Sequence, residues 1–182
     1  MTTFVGLLRA VNVGGKNRIS MAELRDALRA CGLDQVSTVL QSGNVLFQST
    51  EPEQAVASRI GQAIEDEFGL RIGVVVRSVD ALSAVVAVGN PLLATRRELD
   101  PATLHVTFLS ELPAAAAVAK LDPDRSPPDA FVVDGREVFI SYPNGSGRSR
   151  LTLDYLERVL GVQGTARNWR TVQRLTALIT DG

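Results

Sequence analysis

The sequence predicts an α+β protein built from two related ferredoxin-like, βαββα-type units with antiparallel sheets. Three observations lead there: short β-rich runs alternate with amphipathic helices, the order of the first 77 residues is βαββαβ, and much of that order returns after residue 100. The predicted divisions are an N-terminal unit over 1–77, a connecting helix and loop over 78–100, and a partial second unit with terminal helices over 101–182.

Thr3 to Ala10 reads as the first strand, and a glycine-rich corner follows it. Ser20 and Glu23 form a capping-box pattern for a helix whose apolar stripe is Met21, Leu24, Leu28 and Cys31, with Gly32 as its stop. Val36 to Leu40 and Val45 to Gln48 are β-rich runs around the tight-turn signal Gln41-Ser-Gly-Asn44. A long helix from Glu53 to Phe68 is closed by Gly69, and Ile72 to Val76 makes a fourth strand. A helix over Val79 to Val88 precedes the Asn90-Pro91 break.

In the second half, Leu104 to Leu109 is a strand and Pro113 opens an Ala-rich helix. Phe131 to Ile140 folds back on an Asp134-Gly135 turn, and Leu151 to Leu160 and Thr171 to Ile179 are helical. That order is βαββα followed by a further helix. The Pro-rich run Asp122 to Pro128 is a loop inside this half.

A chain of 182 residues is long enough to bury a sizeable core. Its 19 basic and 20 acidic side chains nearly balance, which removes the whole-protein field of a strong non-specific nucleic-acid binder but leaves room for a local basic patch. The single cysteine, Cys31, excludes an internal disulfide and a Cys-based zinc site. The apolar N-terminal run is interrupted by Arg9 and has no basic leader, so it reads as a strand, and the expectation is a soluble, cytoplasmic protein without membrane contact.

The stretch Arg9 to Ser20 carries the most chemistry. Paired glycines, amides and cations sit between a strand and a helix start, where close backbone approach and unpaired N–H groups suit a phosphate-sized anion. Arg9, Asn12, Gly14, Gly15, Lys16 and Asn17 are the candidate residues, with Arg18 as a further charge partner. The competing reading is a loop whose glycines only turn the chain, since neither the P-loop nor the dinucleotide spacing is present. In a βαββαβ unit the first two strands run parallel, so this corner should lie at the same sheet edge as Gln41, Ser42 and Asn44.

The loop Asn144 to Arg150 is a second candidate. Gly145, Gly147, Arg148, Ser149 and Arg150 combine backbone freedom with two guanidinium forks. Arg167, Asn168 and Trp169 form a third group, able to stack on a base or, equally, to cap and pack locally. The C-terminal end carries Arg148, Arg150, Arg158, Arg167, Arg170 and Arg174 against Asp154 and Glu157, a local basic balance. His105, alternating with apolar residues on a strand, and Cys31, on the apolar stripe of its helix, read as structural.

The blocks Leu8-Arg-Ala-Val-Asn-Val-Gly-Gly-Lys-Asn17 with Met21-Ala-Glu-Leu24, Gln41-Ser-Gly-Asn-Val45 with Phe47, Tyr142-Pro-Asn-Gly-Ser-Gly-Arg-Ser-Arg-Leu151, and Thr165-Ala-Arg-Asn-Trp169 with Thr171-Val172 resemble the bacterial domain of unknown function 1697 family. Arg150 stands where such proteins often carry Lys. The resemblance implies a duplicated ferredoxin-like α+β fold and brings no activity, cofactor or metal with it. Catalytic residues and cofactor stay unassigned. The leading expectation is binding of a phosphate-bearing small molecule or nucleotide at the glycine-rich strand-to-helix loops, with Lys16, Arg148 and Arg167 as anion partners; an RNA-binding module and a protein-interaction or oligomerisation domain are the alternatives.

Overall fold

The computed structural model describes residues 1–40 and 43–180. The chain divides into two compact units, Met1–Ser83 with the chain end from Leu178, and Ala84–Ala177. Each contains one four-stranded antiparallel sheet.

In the first unit, β1 (Thr2–Leu8), β2 (Asp34–Val39), β3 (Asn44–Ser49) and β4 (Val74–Ser78) are arranged β2-β3-β1-β4. β1 and β2 are each antiparallel to β3, so they point the same way. Alternation in β1 sends Phe4 and Leu8 to the face where α1 (Met21–Ala30) and α2 (Glu53–Phe68) lie, and these pack with Val45, Phe47, Leu24, Leu28, Val56, Ile60 and Ile64. Ser20 caps α1, its hydroxyl accepting the Glu23 N–H at 3.5 Å. Gly69 ends α2 in the left-handed conformation that glycine adopts without penalty. The edge strand β2 is irregular, with a register break between Asp34 and Ser37 and Gln35 at φ 51°.

β1 stops at Leu8, short of the expected Ala10, because Ala10 turns to φ 52° and the chain leaves the sheet. β4 begins at Val74, two residues later than expected, and runs on through Arg77 and Ser78, which pair with Val5 and Phe4. Helix α3 (Val79–Val88) follows at once.

In the second unit, β5 (Leu104–Leu109), β6 (Ala130–Asp134), β7 (Glu137–Ser141) and β8 (Gly164–Asn168) take the order β6-β7-β5-β8, the first sheet's pattern again. β8 has no counterpart in the sequence reading; it completes a full βαββαβ unit where only βαββα was expected. Asn90 does not merely break the chain, because its Oδ1 accepts the Leu92 N–H at 3.0 Å and caps α4 (Pro91–Thr95). The Ala-rich helix α5 (Ala115–Val118) is a single turn that starts two residues after Pro113. Thr152 caps α6 (Leu153–Leu160), moving its start past Leu151, while α7 (Trp169–Thr180) begins directly at the end of β8. Leu109, Val138, Ile140, Tyr142, Leu151, Tyr155, Leu156 and Leu160 form one core cluster of this unit, on the face of the sheet that α6 covers; Phe139, on the opposite face, packs against Trp169 of α7.

Candidate functional site

The corner after β1 is a knotted ribbon held by its asparagines. Asn12 Oδ1 accepts the Ile19 N–H at 3.0 Å and Asn12 Nδ2 donates to the Ile19 carbonyl at 3.0 Å, so one side chain copies a β-ladder pair. Asn17 Nδ2 donates to Ala10 O at 3.2 Å, and the Asn12 N–H donates to Asn17 O at 3.2 Å. Asn12 and Asn17 both have positive φ, 55° and 47°, which asparagine tolerates better than most residues. Their amides therefore shape the loop.

The tip is a two-residue turn. Lys16 N–H donates to Val13 O at 3.1 Å, with Gly14 at φ 59° and Gly15 at φ 77°. Both central residues have positive φ, the pattern of a type I′ turn that glycine fills at no steric cost. A cleft of about 380 Å³ beside the tip is lined by Asn12, Gly15, Arg18, Ile19 and Ser20. Lys16 and Arg18 are exposed, and neither has an acidic partner among the described residues. Arg9 is half-buried, with its backbone N–H donating to Gly73 O at 2.9 Å.

Gly43 joins this corner to the β2–β3 hairpin. Its carbonyl accepts the Leu8 N–H at 2.8 Å, and a Cβ on it would lie 3.0 Å from both Leu8 Cβ and Val11 Cβ. The β1 exit and the hairpin thus share one sheet edge, as strand direction requires. Asn44 is buried opposite Leu7 and donates to Val39 O at 3.1 Å, closing its own hairpin. Gln41 and Ser42 lie outside the described residues.

In the second unit, the loop after β7 is fastened from both sides. Tyr142 OH donates to Leu151 O at 2.9 Å, the Tyr142 N–H donates to Thr103 O at 3.0 Å, and Gly145, at φ 84°, leads into a single 3-10 turn over Ser146–Arg148. Ser149 Oγ accepts the Leu151 N–H at 2.8 Å, and Ser126 Oγ accepts the Arg150 N–H at 3.1 Å. Arg125 donates from Nε to Arg150 O at 3.2 Å while its guanidinium stacks 4.2 Å over the Tyr155 ring. Gly147, Arg148 and Arg150 stay exposed. The sequence reading missed Arg125, Ser126 and Tyr155; a cation and a hydroxyl inside a Pro-rich loop were the available signal.

Asn168 reaches the same sheet end. Its Nδ2 donates to Ala102 O at 3.0 Å, and its Oδ1 accepts the Arg170 N–H at 3.0 Å to cap α7. Trp169 is buried edge-on to Phe139, with ring centres 6.2 Å apart. Arg167 is buried on the other side of β8 from Asn168 and donates from Nη1 to Thr165 Oγ1 at 2.9 Å and Ala166 O at 2.8 Å. Burial pushes its guanidinium down to about 10, still protonated at neutral pH. The loop after β1 and the loop after β7 belong to non-equivalent ends of the two related sheets: one follows the exit of β1, the other lies at the entry of β5.

Residues 1–139 match the family described as protein of unknown function (DUF1697). The chain belongs to that family. The blocks over 142–151 and 165–172 lie beyond the matched span. Conserved bacterial protein SP0830 from Streptococcus pneumoniae has a similar structure, with a TM-score of 0.72 at 22% identity over 99% of each chain, a likeness of fold. No curated protein matches.

Elsewhere in this DUF1697 chain, His105 packs edge-on to Tyr142 at 5.2 Å, with Nδ1 3.2 Å from Thr103 O, and burial holds its imidazole below the usual 6.5. Burial likewise raises the Cys31 thiol against the opposing pull of Arg59, and Cys31 Sγ donates to Leu28 O, leaving a poor nucleophile. Among the described residues no group of three His, Cys, Asp or Glu side chains could hold a metal ion, and no helix is long and apolar enough to cross a membrane.

Proposed function

We propose that the chain binds a phosphate-bearing small molecule or nucleotide at the loop after β1. The observation that carries this reading is a pair of exposed cations without acidic partners among the described residues: Arg18 lines a cleft together with Gly15 and the capped start of α1, and Lys16 follows Gly15 in the chain. Two uncompensated charges beside a helix's positive end attract a multiply charged anion more than a monovalent one. Asn12 and Asn17 serve this site by fixing the ribbon, so little ordering is left for the ligand to drive. Arg148 and Arg150 are a second exposed cationic pair that such a ligand class suits.

This reading leaves out Arg167, expected from sequence as an anion partner, because its guanidinium is buried and donates to Thr165 and Ala166. Trp169, the side chain a base-stacking platform would need at the surface, is buried, which disfavours RNA as the ligand.

Thermal-shift titration with inorganic phosphate, nucleotides and phosphorylated metabolites tests the reading. A ligand at 100 times its dissociation constant stabilises the folded state by about 2.7 kcal/mol, a shift of roughly 5–10 °C for a chain of this size. That shift is expected to fall in Lys16→Ala and Arg18→Ala. If these variants respond to every anion as the parent does, the site is elsewhere.

A further inference from the structure

The second unit contains a pocket of the opposite polarity. Ala84, Val85 and Val88 at the end of α3, with Phe139 of β7, line a cavity of about 190 Å³ whose remaining lining residues are Gly89, Asp134 and Glu137. No basic side chain belongs to that lining.

Two carboxylates and one helix end border it, and Arg136, in the turn between the carboxylates, is not part of its lining. Asp134 and Glu137 flank the β6–β7 turn, facing each other in the strand register. The C-terminal end of α3, a ten-residue helix closed by a Gly89 N–H to Val86 O bond of 3.1 Å, brings the negative end of its dipole. Between them the surface is apolar, and Phe139, backed by Trp169, offers an aromatic ring of the kind that attracts a cation.

The helix itself is unusual. Its sequence, Val-Asp-Ala-Leu-Ser-Ala-Val-Val-Ala-Val, is apolar almost all round, yet Leu82 is its one fully buried residue, and Ala84, Ala87 and Val88 share an exposed face. Val88 is 82% exposed at the pocket's rim. Water-facing valine beside a carboxylate pair is the chemistry of a site for a ligand that has both a charge and a hydrocarbon surface.

We propose that this pocket binds a small organic ammonium ion, an amine on a short apolar body, with its charge toward Asp134 and Glu137 and its hydrocarbon against Val85, Val88 and Phe139. The site is independent of the anion cleft in the first unit. A neutral isostere loses the electrostatic part of the interaction and a carboxylate isostere is repelled.

The test is a two-dimensional amide NMR titration of the full chain with three probes of one length: hexylammonium, hexan-1-ol and hexanoate. Hexylammonium is expected to shift amides in 84–89 and 134–139 and to bind at least roughly fivefold more tightly than hexan-1-ol, with hexanoate weakest. Asp134→Asn combined with Glu137→Gln should remove the preference for the ammonium and leave the alcohol's weak binding. Val88→Lys, at a position exposed enough to leave the fold intact, should block the ammonium by placing a competing cation at the rim. Equal binding of alcohol and ammonium, perturbations confined to other residues, or an undiminished preference in Val88→Lys would overturn the proposal.

Discussion

Arg77 and Arg167 occupy the same position in two different sheets. Each sits in the fourth strand of its unit, Arg77 opposite Val5 on β1 and Arg167 opposite Val106 on β5, and each donates Nη1 to the carbonyl of the residue before it, at 3.0 and 2.8 Å. They are 1% and 8% exposed, and a helix begins two residues after each. The two related units each carry a buried cation at the same register position.

Removing either guanidinium leaves carbonyls, and for Arg167 also the Thr165 hydroxyl, without a donor, and opens a cavity. Arg77→Ala and Arg167→Ala are each expected to cost about 2–4 kcal/mol, read as a lower unfolding midpoint in denaturant. A loss under about 0.5 kcal/mol, the scale of ordinary surface substitutions, would contradict the assignment.

Gly43 sits where a side chain would be strained and crowded. With φ at 71° and a Cβ placed 3.0 Å from the Cβ atoms of Leu8 and Val11, Gly43→Ala combines backbone strain with a clash against two buried residues. A destabilisation of about 2–4 kcal/mol is expected, together with lost hydrogen-exchange protection of the Leu8 amide, whose acceptor is Gly43 O.

The asparagine clasp is local. Asn12→Ala removes both bonds to Ile19 and puts alanine at φ 55°, for an expected cost of about 2–3 kcal/mol. The Ile19 amide should exchange much faster in this variant, while amides of the second unit stay unchanged. Unaltered exchange at Ile19 would refute the clasp.

His105 gives stability a pH dependence whose sign is fixed by burial. Its imidazole is held below 6.5 in the folded protein, so on acidification the unfolded chain takes up the proton first. Between the folded value and 6.5 the unfolded state binds more protons, and stability is lost as pH falls through that window, with a slope of at most about 1.4 kcal/mol per pH unit from this one group. Unfolding free energies measured from pH 7 downward should fall less steeply in His105→Gln than in the parent, by about 1.4 kcal/mol per pH unit at most.

Sequence pattern made most of the fold legible, because α1 and α2 carry clear apolar stripes and Gly69 marks a stop that the structure uses. β8 was not legible. Gly164-Thr-Ala-Arg-Asn168 has no apolar alternation, and its burial comes from Thr165 and Arg167, residues that usually face water. The same reasoning explains β4, whose last two residues, Arg77 and Ser78, look like loop residues in isolation. At the corner after β1 the composition was legible and the division of labour was not: that Asn12 and Asn17 bond to backbone across the ribbon depends on pairings seven residues apart. The pocket at Val88 and Phe139 joins residues some fifty positions apart, beyond any local pattern.

The broken register of β2 bears on how the molecule behaves in a crowd. A regular outer strand presents a straight row of unpaired N–H and C=O groups on which a strand from another molecule can add, and addition repeated is fibril growth. Gln35 at φ 51° and the shift between Asp34 and Ser37 spoil the regularity of that row. The first sheet ends at a strand poorly suited to recruiting another, an arrangement that favours dispersed molecules over growing aggregates.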